Sequence, residues 1–158
     1  MTERVPMTPS GYKKLEAELK HIRTVERPKI VKEIEVARAH GDLSENAEFH
    51  AAKERQGQIE TRVRVIDDRL ARAQVIDPSG QAVDQVRFGM TVVLVDADTN
   101  EEVTYTILGE EEADAKCGRI SVTSPVARAL LGRGVGESVT VRVPKGKREF
   151  EILEIRID

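Results

Sequence analysis

Asp42 and Glu45 are the residues with the most chemistry to offer, three positions apart within Gly41-Asp42-Leu43-Ser44-Glu45-Asn46-Ala47-Glu48-Phe49-His50. Two carboxylates at that spacing are hard oxygen donors. They suit Mg²⁺, which keeps several waters and takes only one or two protein carboxylates. The same spacing also makes a capping box, with Asp42 as the N-cap and Glu45 in the third helical position. The helix macrodipole would favour each acid there by about 0.3–1 kcal/mol. The two readings can share residues, and both stand at this point. His40 and His50 flank the pair, but a set of His40, Asp42, Glu45 and His50 fits no zinc signature. Arg38 and Lys53 lie on either side of the turn, as ordinary helix-surface charges or as holders of a phosphate backbone.

Helices must carry these residues. Thr8 can cap a first helix with Pro9 at its first position. Tyr12, Leu15, Leu19 and Ile22 then repeat at steps of three and four, and Pro28 is expected to bend the helix or reset its register. Ile30, Ile34 and Ala37 resume the stripe up to Gly41. Phe49, Ala52, Gln56, Ile59, Val63, Ile66, Leu70 and Ala73 form an unbroken a/d seam with one polar member. A helix of about 30 residues is roughly 45 Å long. Two such helices joined by a short turn run antiparallel, seam against seam, with the acidic segment at the tip. Two acids alone hold a metal weakly, so a half-site on a long stalk makes sense if a partner supplies the missing ligands.

Composition agrees with a thin helical unit. The 158 residues are 34% charged, 39% hydrophobic and 3% aromatic, with no Trp. Five aromatic side chains cannot build a base-stacking platform. A formal charge of −3 argues against wholesale coating of a phosphate backbone. Without an apolar run of about 18 residues or an N-terminal apolar stretch, neither a membrane span nor a signal peptide is expected. The one cysteine, Cys117, permits no internal disulfide. A reduced, cytoplasmic protein is the expectation.

The pattern changes near Asp77-Pro78-Ser79-Gly80, a run of turn formers. Residues 1–80 carry 15 basic and 14 acidic side chains, and residues 81–158 carry 10 and 14. The expected division is a coiled-coil hairpin over 1–77, with its acidic tip at 41–48, and a second domain over 81–158. In that domain Met90–Val95 is an apolar run, and Val103, Tyr105 and Ile107 alternate, as do Val139, Val141 and Val143. Ser124-Pro125 opens a short helix over Val126–Leu131. The fold class is α+β, with a small antiparallel sheet packed on a helix.

The tip segment, continued by Ala51-Ala52-Lys53-Glu54, resembles the signature of bacterial Gre-type transcript-cleavage elongation factors. The likeness runs along the whole chain, through Pro6-Met7-Thr8-Pro9-Ser10-Gly11, Arg27-Pro28, Ala73-Gln74-Val75-Ile76-Asp77 and Ser124-Pro125-Val126-Ala127-Arg128-Ala129-Leu130-Leu131-Gly132. The resemblance implies a C-terminal domain similar in fold to FK506-binding proteins that docks on RNA polymerase at the mouth of its secondary channel, in a protein of the DNA-binding transcription machinery. The hairpin would enter the polymerase's secondary channel. Asp42 and Glu45 would help hold a Mg²⁺ jointly with the polymerase, which would hydrolyse the 3′ end of backtracked RNA. No metal would bind tightly to the chain alone. Arg38 and Lys53 match positions implicated in contacting that RNA, and Phe49 stands where Tyr is usual. Ser44 and Asn46 would support the tip, Ser44 as a cap and Asn46 by orienting a carboxylate or the water. The implied protein is a monomeric cofactor, not itself an enzyme. The alternative is a self-sufficient metal-dependent nuclease. Residues 81–158 offer only Phe88, Tyr105 and Phe150 as aromatics, a poor lining for a prolyl-isomerase pocket.

Overall fold

The computed structural model describes residues 3–41 and 46–158. The chain divides into two compact units: Tyr12–Arg72, and the residues up to Gly11 together with Ala73–Asp158. Residues counted with the hairpin in the sequence reading, those before Tyr12 and after Arg72, therefore group with the sheet.

In the first unit α1 (Pro9–His21) runs through a π-helical turn, Ile22–Glu26, into α2 (Arg27–Arg38), and α3 (Ala47–Arg72) returns. Pro28 neither breaks nor ends the helix. Arg27 N–H donates to Ile22 O, an i→i−5 bond, and the wider turn absorbs one residue. Ile22 and Ile30 are eight positions apart where two α turns take about seven residues. The π turn returns both to the buried face, at 3% and 4% exposure. Along α3, Ala52, Val63 and Ile66 are buried, while Phe49, Gln56, Ile59 and Leu70 are half-buried. Ala73, expected to end the seam, already belongs to a strand.

Partners of successive α2 residues descend along α3, which makes the pair antiparallel. Arg27 meets Glu60 through Nε and Nη2, at 2.8 and 2.9 Å, Glu33 meets Arg55 at 2.6 Å, and His40 meets Glu48 at 3.3 Å. The Arg27 hydrogen bonds hold the Glu60 carboxyl below its usual range. Such exposed pairs contribute little stability singly; their spacing fixes the register.

The second unit contains a two-stranded parallel pair, β1 (Val5–Met7) with β2 (Ala73–Val75), in register Val5↔Ala73 and Met7↔Val75. Its larger sheet has the order β5-β4-β3-β7-β6. The strands are β3 (Thr91–Asp96), β4 (Glu102–Leu108), β5 (Arg119–Ser121), β6 (Ser138–Val143) and β7 (Gly146–Arg156). The expectation of an antiparallel sheet fails at β5, which runs parallel to β4. The intervening loop folds through a 3₁₀ turn at Ala115–Cys117, letting the chain re-enter in the same direction. Central β3 buries Val92 and Leu94 completely. Its register with β7 slips between Val93 and Leu94, so Leu153 has no partner and points outward. Helix α4 (Pro125–Leu130) is capped by Ser124, whose Oγ accepts the Ala127 N–H, and it buries Ala127 and Leu130 against the sheet.

Two polar nodes organise this unit. Asp96, 3% exposed, accepts the backbone N–H groups of Asp98 and Thr99 and, on Oδ2, Nε–H and Nη2–H of Arg148. Arg148 in turn lies 5.0 Å over the Phe150 ring. The second node is at the start of α1. Thr8 caps it, its Oγ1 accepting Gly11 N–H at 3.1 Å. In a capping box the acid sits at the third helical position, which here is Gly11. Glu112 supplies that acid from 104 residues away: it accepts Thr8 N–H at 3.1 Å and the Thr8 hydroxyl, and Gly109 N–H at 3.4 Å. A Cβ on Gly11 would overlap the Glu112 carboxyl, and one on Gly109 would overlap Pro6 O. The missing side chain makes room for a capping acid from elsewhere in the chain.

Glu112→Ala should lower stability by about 1–3 kcal/mol, because it leaves the Thr8 N–H without an acceptor. Gly11→Ala should also destabilise by displacing that carboxyl. In the Glu112→Ala background the same change should be neutral or stabilising, since Ala exceeds Gly in helix propensity by about 1 kcal/mol. Denaturant midpoints of the four proteins check this cycle. The Arg148 hydrogen bond holds the Asp96 carboxyl below the usual aspartate range. A depressed folded-state pKa gives stability that is present above the unfolded value and lost as pH falls through the folded one. Asp96→Ala should therefore lower Tm at neutral pH, with the gap to wild type narrowing below about pH 4.

Candidate functional site

The last turn of α2 tightens as it ends. Ala39 N–H is shared between Glu35 O and Val36 O, and His40 N–H donates to Ala37 O at 3.1 Å. Gly41 N–H reaches Arg38 O at 3.4 Å, and Gly41 takes φ 110°, a conformation open to glycine. Asp42, Ser44 and Glu45 lie outside the described residues. The chain resumes at Asn46, and α3 starts at Ala47.

Asn46 is the N-cap. Its Oδ1 accepts Phe49 N–H at 3.0 Å, and its main-chain oxygen accepts His50 N–H at 3.1 Å. The described helix begins after Asn46; Asp42 and Glu45, the two acids of the capping-box reading, lie outside the described residues. Asn46 Nδ2 also donates to Ala37 O at 2.5 Å. One side chain thus accepts from α3 and donates to α2. The amide orientation follows from its partners, because a carbonyl needs a donor and an N–H an acceptor.

Side chains around this tie are exposed and mostly charged. The Arg38 guanidinium carbon lies 5.8 Å from the Phe49 ring centroid, within cation–π range. His50 meets Phe49 edge-on at 5.6 Å. Lys53 Nζ donates to Gln56 Oε1 at 3.1 Å, which gives the polar seam residue a partner and leaves the ammonium at the surface. His40 Nδ1 lies by Glu48, and His50 packs on Phe49, so the two histidines do different work. Among the described residues no group of three or more His, Cys, Asp or Glu could hold a metal ion.

Sequence reasoning missed a groove of about 540 Å³ between α2 and α3, lined by Val36, Ala37, Ala51 and Ala52 together with Lys29, Lys32, Glu33, Glu48 and Arg55. Its one legible signal was the small residues Ala37, Ala51 and Ala52 on the facing stripes, which leave space between the helices.

Residues 5–75 match the family described as transcription elongation factor, N-terminal, and residues 81–157 match transcription elongation factor, GreA/GreB, C-terminal. The chain is 57% identical over 153 residues to the transcription elongation factor GreA of Phenylobacterium zucineum, covering 97% of this chain and 98% of that protein. It is 54% identical over 155 residues to GreA of Syntrophotalea carbinolica, with 98% of each chain covered. A solved structure of the transcription factor Gfh1 aligns over 98% of this chain and 99% of that one, at 29% identity and a TM-score of 0.48. Matches to both family domains, and identity above one half across nearly the full length, place this chain in the GreA/GreB family of transcription elongation factors.

Proposed function

We propose that this chain acts on bacterial RNA polymerase, passing the α2–α3 turn into the secondary channel and stimulating the polymerase's own hydrolysis of backtracked RNA. The observation that carries this reading is the turn itself: the segment with both acids joins the ends of two antiparallel helices tied through Asn46. A two-helix unit of this width suits a narrow cavity. The second unit, with its own core, serves as the docking body on the polymerase. The chain works as a monomeric cytoplasmic cofactor rather than as an enzyme.

Asp42 and Glu45 supply two oxygen ligands to a Mg²⁺ whose remaining ligands come from the polymerase and the RNA. When bound, that ion brings Lewis acidity and a water of lowered pKa to the scissile phosphate. The two acids raise the local negative charge, favour cation occupancy and orient the attacking water. A thousandfold acceleration asks only about 4 kcal/mol of barrier reduction, since each tenfold needs 1.36. Preorganised charges in a water-poor cavity supply that much. Arg38 and Lys53, exposed on either side of the turn, hold the extruded RNA backbone.

A cleavage assay on a stalled, backtracked elongation complex tests the reading. Asp42→Ala and Glu45→Ala should each abolish stimulated cleavage while leaving polymerase binding largely intact; loss of binding in both, with normal helix content, would make the tip an anchor instead. RNA cleavage by the purified chain with Mg²⁺ and no polymerase would count against a cofactor role. Arg38→Ala and Lys53→Ala should weaken engagement with backtracked complexes and flatten its salt dependence, because each removes a phosphate contact. An unchanged salt slope would remove them from the RNA-contacting set.

A further inference from the structure

We propose that Asn46 is a positioning residue for this reaction, tying α2 to α3 through backbone bonds and so fixing the two anchor points of the segment that bears Asp42 and Glu45. The inference rests on the function proposed above. N-capping alone does not call for asparagine: Asp and Ser cap about as well. What Asn adds is a donor. Its Nδ2 reaches Ala37 O at 2.5 Å while Oδ1 holds Phe49 N–H at 3.0 Å. Ala37 is 3% exposed, and its carbonyl, which also accepts His40 N–H, receives Nδ2 in a part-buried place. The neighbouring clips, His40 with Glu48 and Arg38 with the half-buried Phe49, each rest on exposed charged side chains and are correspondingly weak. With both polar atoms of Asn46 engaged by main chain, its effect on catalysis is exerted through the backbone, not by touching the water or the ion.

Substitutions separate the two bonds. Asn46→Asp keeps an acceptor for Phe49 N–H but turns the Ala37 contact into two facing oxygens. Asn46→Ser keeps a cap without adding charge, and its short side chain cannot span to Ala37. In the backtracked-complex assay, both variants should retain wild-type helix content by circular dichroism. Amide exchange should show Phe49 N–H still protected. Half-saturating factor concentration should stay within about twofold, because binding is unaltered. The cleavage rate at saturating factor should fall at least about tenfold, as expected when reacting groups are displaced by a fraction of an ångström to an ångström. A wild-type maximal rate in either variant overturns the proposal. So does a fall in Asn46→Asp alone, which would assign the effect to charge. A raised half-saturation accompanied by lost helix content would make the residue merely structural and would also overturn it. A wild-type chain that stimulates no cleavage sinks the function and this role together, whereas an active wild type matched by its variants sinks the role alone.

Discussion

Two helices that share a single apolar seam have little else to hold them in register, and the first unit is arranged around that constraint. Each helix gives up one stripe, with Ile30 and Ile34 of α2 closing on Ala52 of α3, and leaves most of its remaining circumference to polar and charged side chains. Burial of a narrow stripe is roughly proportional to the small apolar area involved. It tolerates sliding unless other contacts forbid it. The π turn at Ile22–Glu26 matters for this reason. Without the extra residue it absorbs, Ile30 would rotate off the face that Ile22 occupies, and the seam would end there.

Register is then set from the flanks and the turn. The forked contacts of Arg27 on Glu60 and of Arg62 on Glu18 are directional, and a slide along the helix would misalign both. At the end of α2, the Asn46 side chain bridges two helix ends, donating to Ala37 O and accepting Phe49 N–H. Residues just before α1 and just after α3 are paired as β1 and β2.

The same device, a polar side chain serving backbone groups distant in sequence, recurs in the second unit. Glu112 completes the cap of α1 from the far side of the sequence, and Asp96 holds a turn while pairing with Arg148 on β7. Aspartate, glutamate and asparagine suit these positions because each can engage several backbone groups at once. Each such node depends on space as well as on partners. Gly11 and Gly109 supply that space around Glu112.

Periodicity settled much of this protein before any coordinates. The three-and-four stripes, the alternating Val139-Val141-Val143 run and the Ser124-Pro125 helix start all depend on local spacing, and each falls where its element forms. Thr8 and Pro9 at the start of α1 were legible for the same reason. Local spacing could not say that β5 would run parallel to β4, that Pro28 would be absorbed by a π turn, or that Asn46 would reach both Phe49 N–H and Ala37 O. It could not pair Thr8 with Glu112 either. These outcomes turn on which distant backbone groups need partners once the chain has closed on itself. A residue's type and spacing show what it can donate or accept; only the tertiary structure decides which groups come within 3 Å of it.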